Sequence, residues 1–148
     1  MAKKTVFDAK ARADLIGRVQ RLGANSARKW GKMSCGQMVA HLADALRMTF
    51  GELEIKPRGG PLRLAPVRYL IIHKLPFPKG APTAPELIAR DGADLSAEVE
   101  ALITLLHRFS DANVKLAPEH PAFGPLTRND WGVLVYRHTS HHLEQFGV

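Results

Sequence analysis

The chain's seven histidines are not spread evenly: three of them, His138, His141 and His142, fall between Tyr136 and Phe146. At about 100° per residue, His142 lies about 40° from His138 on a helical wheel and His141 about 60° to the other side. Trp131, Leu134, Val135 and Gln145 share that side, so the imidazoles are expected to face the core. Histidines four apart on a helix have Cβ atoms roughly 6 Å from each other, close enough for both rings to reach one ion at the ~2.0–2.1 Å of a zinc–nitrogen bond. His138 and His142 have this spacing. Such a pair also arises without any metal, as a hydrogen-bonded or half-exposed pair, and two ligands do not make a site.

A third ligand must come from another segment, and His41 is the histidine in a suitable one. It sits in a stretch that opens with the capping pattern Ser34-x-x-Gln37 and runs without a breaker to Phe50. The apolar face of that helix is expected to carry Met38, Leu42, Ala45, Leu46 and Thr49, with His41 on or beside it. Taken alone, a histidine there also reads as a hydrogen-bonded core residue.

These residues resemble the DinB-like superfamily of metal-binding four-helix bundles, in an uncharacterised bacterial branch. The likeness rests on Trp30-Gly31-Lys32-Met33 leading into Gln37-Met38-x-x-His41-Leu42. It continues with His120-Pro121-x-Phe123-Gly124-x-Leu126-Thr127, and through Trp131 with His141-His142-Leu143-x-Gln145-Phe146-Gly147. It covers essentially the whole chain. The resemblance implies three histidines, His41, His138 and His142, holding a divalent ion, zinc or nickel, with open positions for water or substrate. Some superfamily members resemble thiol-dependent S-transferases or isomerases that use low-molecular-weight thiols, though this branch brings no reaction of its own, and the likeness admits a homodimer. An ion held by three neutral imidazoles suits both thiol transfer and hydrolysis, so a metal-dependent thiol S-transferase or hydrolase acting on a small molecule is the expectation. The competing class is a non-catalytic binding or scaffolding bundle whose histidines are structural. Fold and metal transfer across such a likeness better than activity does.

The remaining polar candidates are weaker. His141 reads as a solvated residue at the bundle's edge, ahead of a hydrogen-bonding partner or substitute ligand. His73 reads as a helix-end cation rather than a fourth ligand, His107 as solvated, and His120 as part of a turn with Pro121 and Gly124, with a structural role. Neither Asp44 nor Glu144 is placed to act as a general base. Gln145, on the ligand side, is expected to orient a bound water or substrate. Cys35, the chain's one cysteine, could ionise at a helix start, yet reads better as a small buried thiol.

Four long helices must position these groups. The first is expected from about Phe7 to Leu22, with Thr5-x-x-Asp8 as its start, Gly23 as its stop and Leu15, Ile16, Val19 and Leu22 inward. The second is Ser34 to Phe50. A third follows Asp94 with the stripe Leu95, Val99, Leu102, Ile103, Leu106 and Phe109. The last begins at Thr127-x-x-Asp130 and reaches about Phe146, with Gly147 to end it. Between the second and third, residues 52–92 hold seven of the ten prolines, which forbids one continuous helix but allows short ones. Pro66 suits the first turn of one, and Thr83-x-x-Glu86 could start another. No stretch alternates apolar with polar, so strands are not expected. The fold class is therefore all-α: a four-helix bundle of one domain, residues 1–148, with a long Pro-rich crossover that also covers the site.

Charge and composition narrow the partners. Residues 1–79 hold 16 Lys or Arg against 5 Asp or Glu, and residues 80–148 hold 5 against 9. No acid occurs between Glu54 and Glu86, a segment that contains Lys56, Arg58, Arg63, Arg68, Lys74 and Lys79. These cations are spaced among Pro, Gly and Leu, without interleaved aromatics or a recognisable nucleic-acid-binding motif, which argues against nucleic acid. An anionic small molecule whose head reaches the metal and whose tail meets the segment from Lys56 to Lys79, Arg63 and Arg68 included, fits better. No apolar run approaches the 18 residues of a membrane span. A single cysteine and no apolar leader point to the reducing cytoplasm.

Overall fold

The computed structural model describes residues 3–80, 90 and 94–148. It is an all-α bundle. Helix α1 spans Ala9–Gln20, α2 Cys35–Thr49, α3 Ala65–His73, α4 Leu95–His107 and α5 Arg128–Gln145. The four long helices are α1, α2, α4 and α5, and α3 is a short helix within the Pro-rich crossover.

The local reasons for these boundaries are visible at the caps. Ser34 and Gln37 close a reciprocal capping box at the start of α2, and Thr127 and Asp130 do the same for α5. Asp94 caps α4 by accepting from the Ala97 amide. At the far end of α5, Gly147 takes φ +79°, the left-handed conformation that closes a helix and that glycine adopts without a Cβ penalty. Pro66 lies in the first turn of α3, where its missing N–H costs nothing.

Helix α1 is shorter than its apolar pattern suggests. Asp8, not Thr5, is the cap: its carboxylate accepts from the Ala11 amide, whereas the Thr5 hydroxyl accepts from Phe7 and folds the chain into a preceding turn. The far end closes at Arg21, before Gly23. Strands, which the sequence did not predict, occur among the described residues as one minimal antiparallel pair, β1 (Glu119–His120) with β2 (Gly124–Pro125). Two residues a side are too short to leave an alternating pattern. The possible turn at Thr83-x-x-Glu86 lies outside the described residues.

The main core is shared by α1, α2, α4 and α5. Leu15, Val19, Met38, Leu42, Leu102, Leu106, Phe109 and Leu143 are almost wholly sequestered from solvent, and each such side chain contributes on the order of 1.5–3 kcal/mol by leaving water. Leu105 joins them, while Leu95, Val99 and Ile103 of the expected stripe pack at its margin. A second, smaller cluster sits beneath the crossover: Met48, Ile72, Phe123, Trp131, Val133 and Leu134. The crossover is bound to α5 by polar contacts. Arg137 donates to the carbonyls of Ile71, Ile72 and Leu75 and lies over the Phe77 ring, while His73 and Asp130 meet at 2.7 Å. Outside, α3 and its flanks leave Leu64, Tyr69, Leu70 and Leu75 exposed. Among the described residues no helix is long and apolar enough to cross a membrane.

Candidate metal centre

Helix α2 brings His41 to face His138 and His142 on α5. The Nε2 atoms of His41 and His138 are 3.2 Å apart, and one ligand nitrogen from each of the three rings lies within 4.8 Å of the others. Two nitrogens held tetrahedrally at 2.0–2.1 Å from a common ion are about 3.3–3.4 Å apart. The three rings meet nearly edge to face, at centroid distances of 4.8–5.1 Å and interplanar angles of 72–84°. This group could hold a metal ion.

The protonation state suits ligation, because only a neutral imidazole has a lone pair to give. Burial pushes His142 down to about 4, helped by nearby His41 and opposed by its bond to Gln145. Burial, then the neighbouring His142 and His41, holds His138 well below the ordinary histidine value. A proton on one ring would meet the others across a poorly solvated gap.

Gln145 has a different role from the expected one. It is buried, its amide nitrogen donates to the Trp30 carbonyl at 2.8 Å, and its Oε1 lies 2.9 Å from His142 Nδ1. With the nitrogen committed to a carbonyl, Oε1 must accept, so His142 carries its proton on Nδ1 and keeps Nε2 free for a ligand bond. Gln145 thus orients a ligand rather than a water. Gly31 makes room for it: a Cβ built there would come within 2.2 Å of the Gln145 amide nitrogen, and Gly31 has φ +87°. The spacing of three between His142 and Gln145, neighbours on a helix face, was the available signal for this contact.

The cluster opens into a cavity of about 1010 Å³. Its walls come from α2 and α5, from the loop at Trp30–Met33, from Ile55, Leu62, Ile71 and Phe77 of the crossover, and from the β1–β2 turn. The crossover does cover the site.

Over residues 1–147 the chain matches a family model described as "Protein of unknown function (DUF1569)". The chain belongs to the DUF1569 family. No curated protein and no solved structure matches it.

Other expected roles in this DUF1569 chain divide. His141 is not a solvated edge residue: it is half-buried against Trp30, Phe77 and His142, with ring centroids at 5.7, 6.0 and 5.4 Å, and it lines the cavity. Burial lowers its proton affinity. His73 ends α3 as expected, but it is buried against Asp130. Burial alone would raise the Asp130 carboxyl, yet hydrogen bonds from His73 and Thr127 outweigh it and hold it below the usual carboxylate range. His107 is exposed. Asp44 pairs with Arg47 and Arg90, and Glu144 is exposed beside Ser140, so neither reaches the site. Cys35 is buried, and burial raises its thiol, against a nucleophilic role.

The basic segment is also reassigned. Arg63 bonds Glu119 and the Pro121 carbonyl, and Arg68 bonds the carbonyls of Arg63 and Phe123. Both guanidinium groups staple the crossover to the β1–β2 turn. Among the described residues the Lys and Arg on the cavity wall are Lys32 and Arg58, and Lys79 sits over the Trp30 ring at 4.3 Å.

Proposed function

We propose that this DUF1569 chain is a DinB-like metalloprotein in which His41, His138 and His142 hold one divalent ion, zinc or nickel, beside a cavity for a small-molecule substrate. The observation that carries the reading is the convergence of three imidazoles from two helices, one of them held in its ligating tautomer by Gln145. When bound, such an ion with three neutral ligands keeps its double positive charge and supplies acidification of a water or thiol and polarisation of an oxygen.

The chain's own residues favour thiol S-transfer over hydrolysis. Among the described residues no Asp or Glu lines the cavity, so a water-activating carboxylate is missing from the wall. A low-molecular-weight thiol needs only to lose its proton on binding, and Lys32 and Arg58 would favour its anionic form. The apolar walls would exclude water from the competing reaction.

Elemental analysis of protein purified without a histidine tag tests the reading. Near-stoichiometric zinc or nickel is expected, with loss of the ion in His41→Ala and His138→Ala. Metal-free native protein that also fails to take up either ion on reconstitution would leave the non-catalytic bundle as the better description. Given a metal, turnover with small thiols and electrophilic acceptors would separate transferase from hydrolase.

A further inference from the structure

The cavity is far larger than three histidines and an ion require. At about 1010 Å³ it lies at the top of the range for sites that enclose drug-sized ligands. Trp30, Phe77, Phe123 and Trp131 give it aromatic faces, and its charged wall residues among those described, Lys32 and Arg58, are both cationic. An occupant with an apolar body and an anionic end would find matching surfaces. A cationic one would find no counter-charge.

One polar group of a wall residue has no partner among the described residues. The amides of Ala122 and Phe123 donate to His120 Nδ1 at 3.0 and 3.3 Å. Nδ1 is therefore the acceptor, and the proton of the neutral ring sits on Nε2. The ring is held by Trp131 and Phe123, at centroid distances of 5.5 and 4.8 Å. No described group bonds Nε2, yet no buried side-chain nitrogen or oxygen lacks a partner, so this N–H is accessible, in a residue that lines the cavity. Burial keeps the ring neutral, with its pKa near 4. The turn therefore presents a donor whose tautomer the Ala122 and Phe123 amides fix, beside the aromatic faces of Phe123 and Trp131.

We propose that the cavity takes an organic carboxylate with an apolar, ring-sized body, and that the His120 Nε2–H donates to its carboxylate oxygen and so selects it. The inference goes beyond the metal reading and does not depend on it. A donor fixed at its other nitrogen loses little freedom on binding, and a hydrogen bond to a charged acceptor is the stronger kind.

The test compares 2-naphthoate with 2-methylnaphthalene, which shares its body but not its acceptor. Binding is followed by calorimetry and by fluorescence of Trp30 and Trp131, the chain's two tryptophans, in protein as purified and after chelator treatment. His120→Asn is the informative variant, because the Asn oxygen can replace Nδ1 as acceptor in the turn while its shorter amide NH2, placed where Cδ2 stands in His, does not reach the position of Nε2–H. It should weaken 2-naphthoate roughly tenfold or more and leave 2-methylnaphthalene within about twofold. In the wild type, the His120 Nε2–H proton resonance should move downfield with 2-naphthoate and not with 2-methylnaphthalene, a readout that survives if the variant folds poorly. Failure of 2-naphthoate to bind, equal losses for both probes, or an unmoved resonance would overturn the proposal. A protein that binds no metal but keeps the His120→Asn difference would sink the metal reading alone.

Discussion

Helix α2 has two unlike sides, and they explain how this small bundle combines stability with a site. Toward α4 its apolar residues interlock with Leu102, Leu105 and Leu106 in a closed core. Toward α5 it meets His138 through His41, and the cavity opens beside that meeting point. Close packing suits one side because Leu and Val need no partners beyond contact. The other side carries imidazoles, and a fully packed wall would bury their nitrogens without partners. The two sides share a seam: Leu42 and Leu46 belong to the core and also line the cavity.

The sharpest way to break this contrast is to delete matched bulk from each side. Leu106→Ala, on the sealed side, should cost about 2–5 kcal/mol in chemical denaturation while leaving metal stoichiometry unchanged. Phe77→Ala removes a partly exposed ring that faces the cavity rather than a filled core, and it should cost about 1 kcal/mol or less. Comparable losses for the two would mean that the cavity is closed in solution.

Acid should act on the cavity side first. The folded value of His120, about 4, lies below the ordinary 6.5, so the unfolded chain takes up its proton first as pH falls. Stability is therefore full above about pH 6.5 and declines toward pH 4, by up to about 3 kcal/mol from this residue. His138 and His142 shift in the same direction in metal-free protein. Asp130 acts in a lower window: its folded value is depressed, so its contribution is present above the usual carboxylate value and is lost as pH falls further. Melting temperatures of metal-free protein between pH 7 and 4 check the order, and a flat profile across 6.5 to 4 would contradict the buried neutral histidines.

Smaller effects sharpen the site itself. Gln145→Ala should lower metal affinity about 10–100-fold by freeing the His142 tautomer. Gly31→Ala should move it the same way, because the new Cβ occupies the place of the Gln145 amide. Competition titrations against a chromophoric chelator measure both. His141→Ala, which removes an aromatic wall and no ligand, should change metal affinity least. A loss as large as that from Gln145→Ala would make His141 part of the coordination unit.

Much of this was legible in the chain. The capping patterns Ser34-x-x-Gln37 and Thr127-x-x-Asp130 are local hydrogen-bonding arrangements, so sequence determines them directly, and both boxes form. The apolar stripes of the four long helices follow from helical period alone. The spacing of His138 and His142 likewise guarantees a shared face on any helix.

What sequence could not decide depends on segments that meet only after folding. Arg63 and Arg68 looked available for an anion, and only the docking of the crossover on the β1–β2 turn shows them occupied with Glu119 and backbone carbonyls. His141 looked solvated until Trp30 and Phe77, from two distant loops, closed over it. Local geometry propagates along a few residues of chain and can be read from spacing, whereas a cavity is defined by the gap between elements. The 3.2 Å meeting of His41 with His138, 97 residues apart, was decided by how α2 and α5 pack, because helical period fixes the face each histidine takes but not the distance between the two helices.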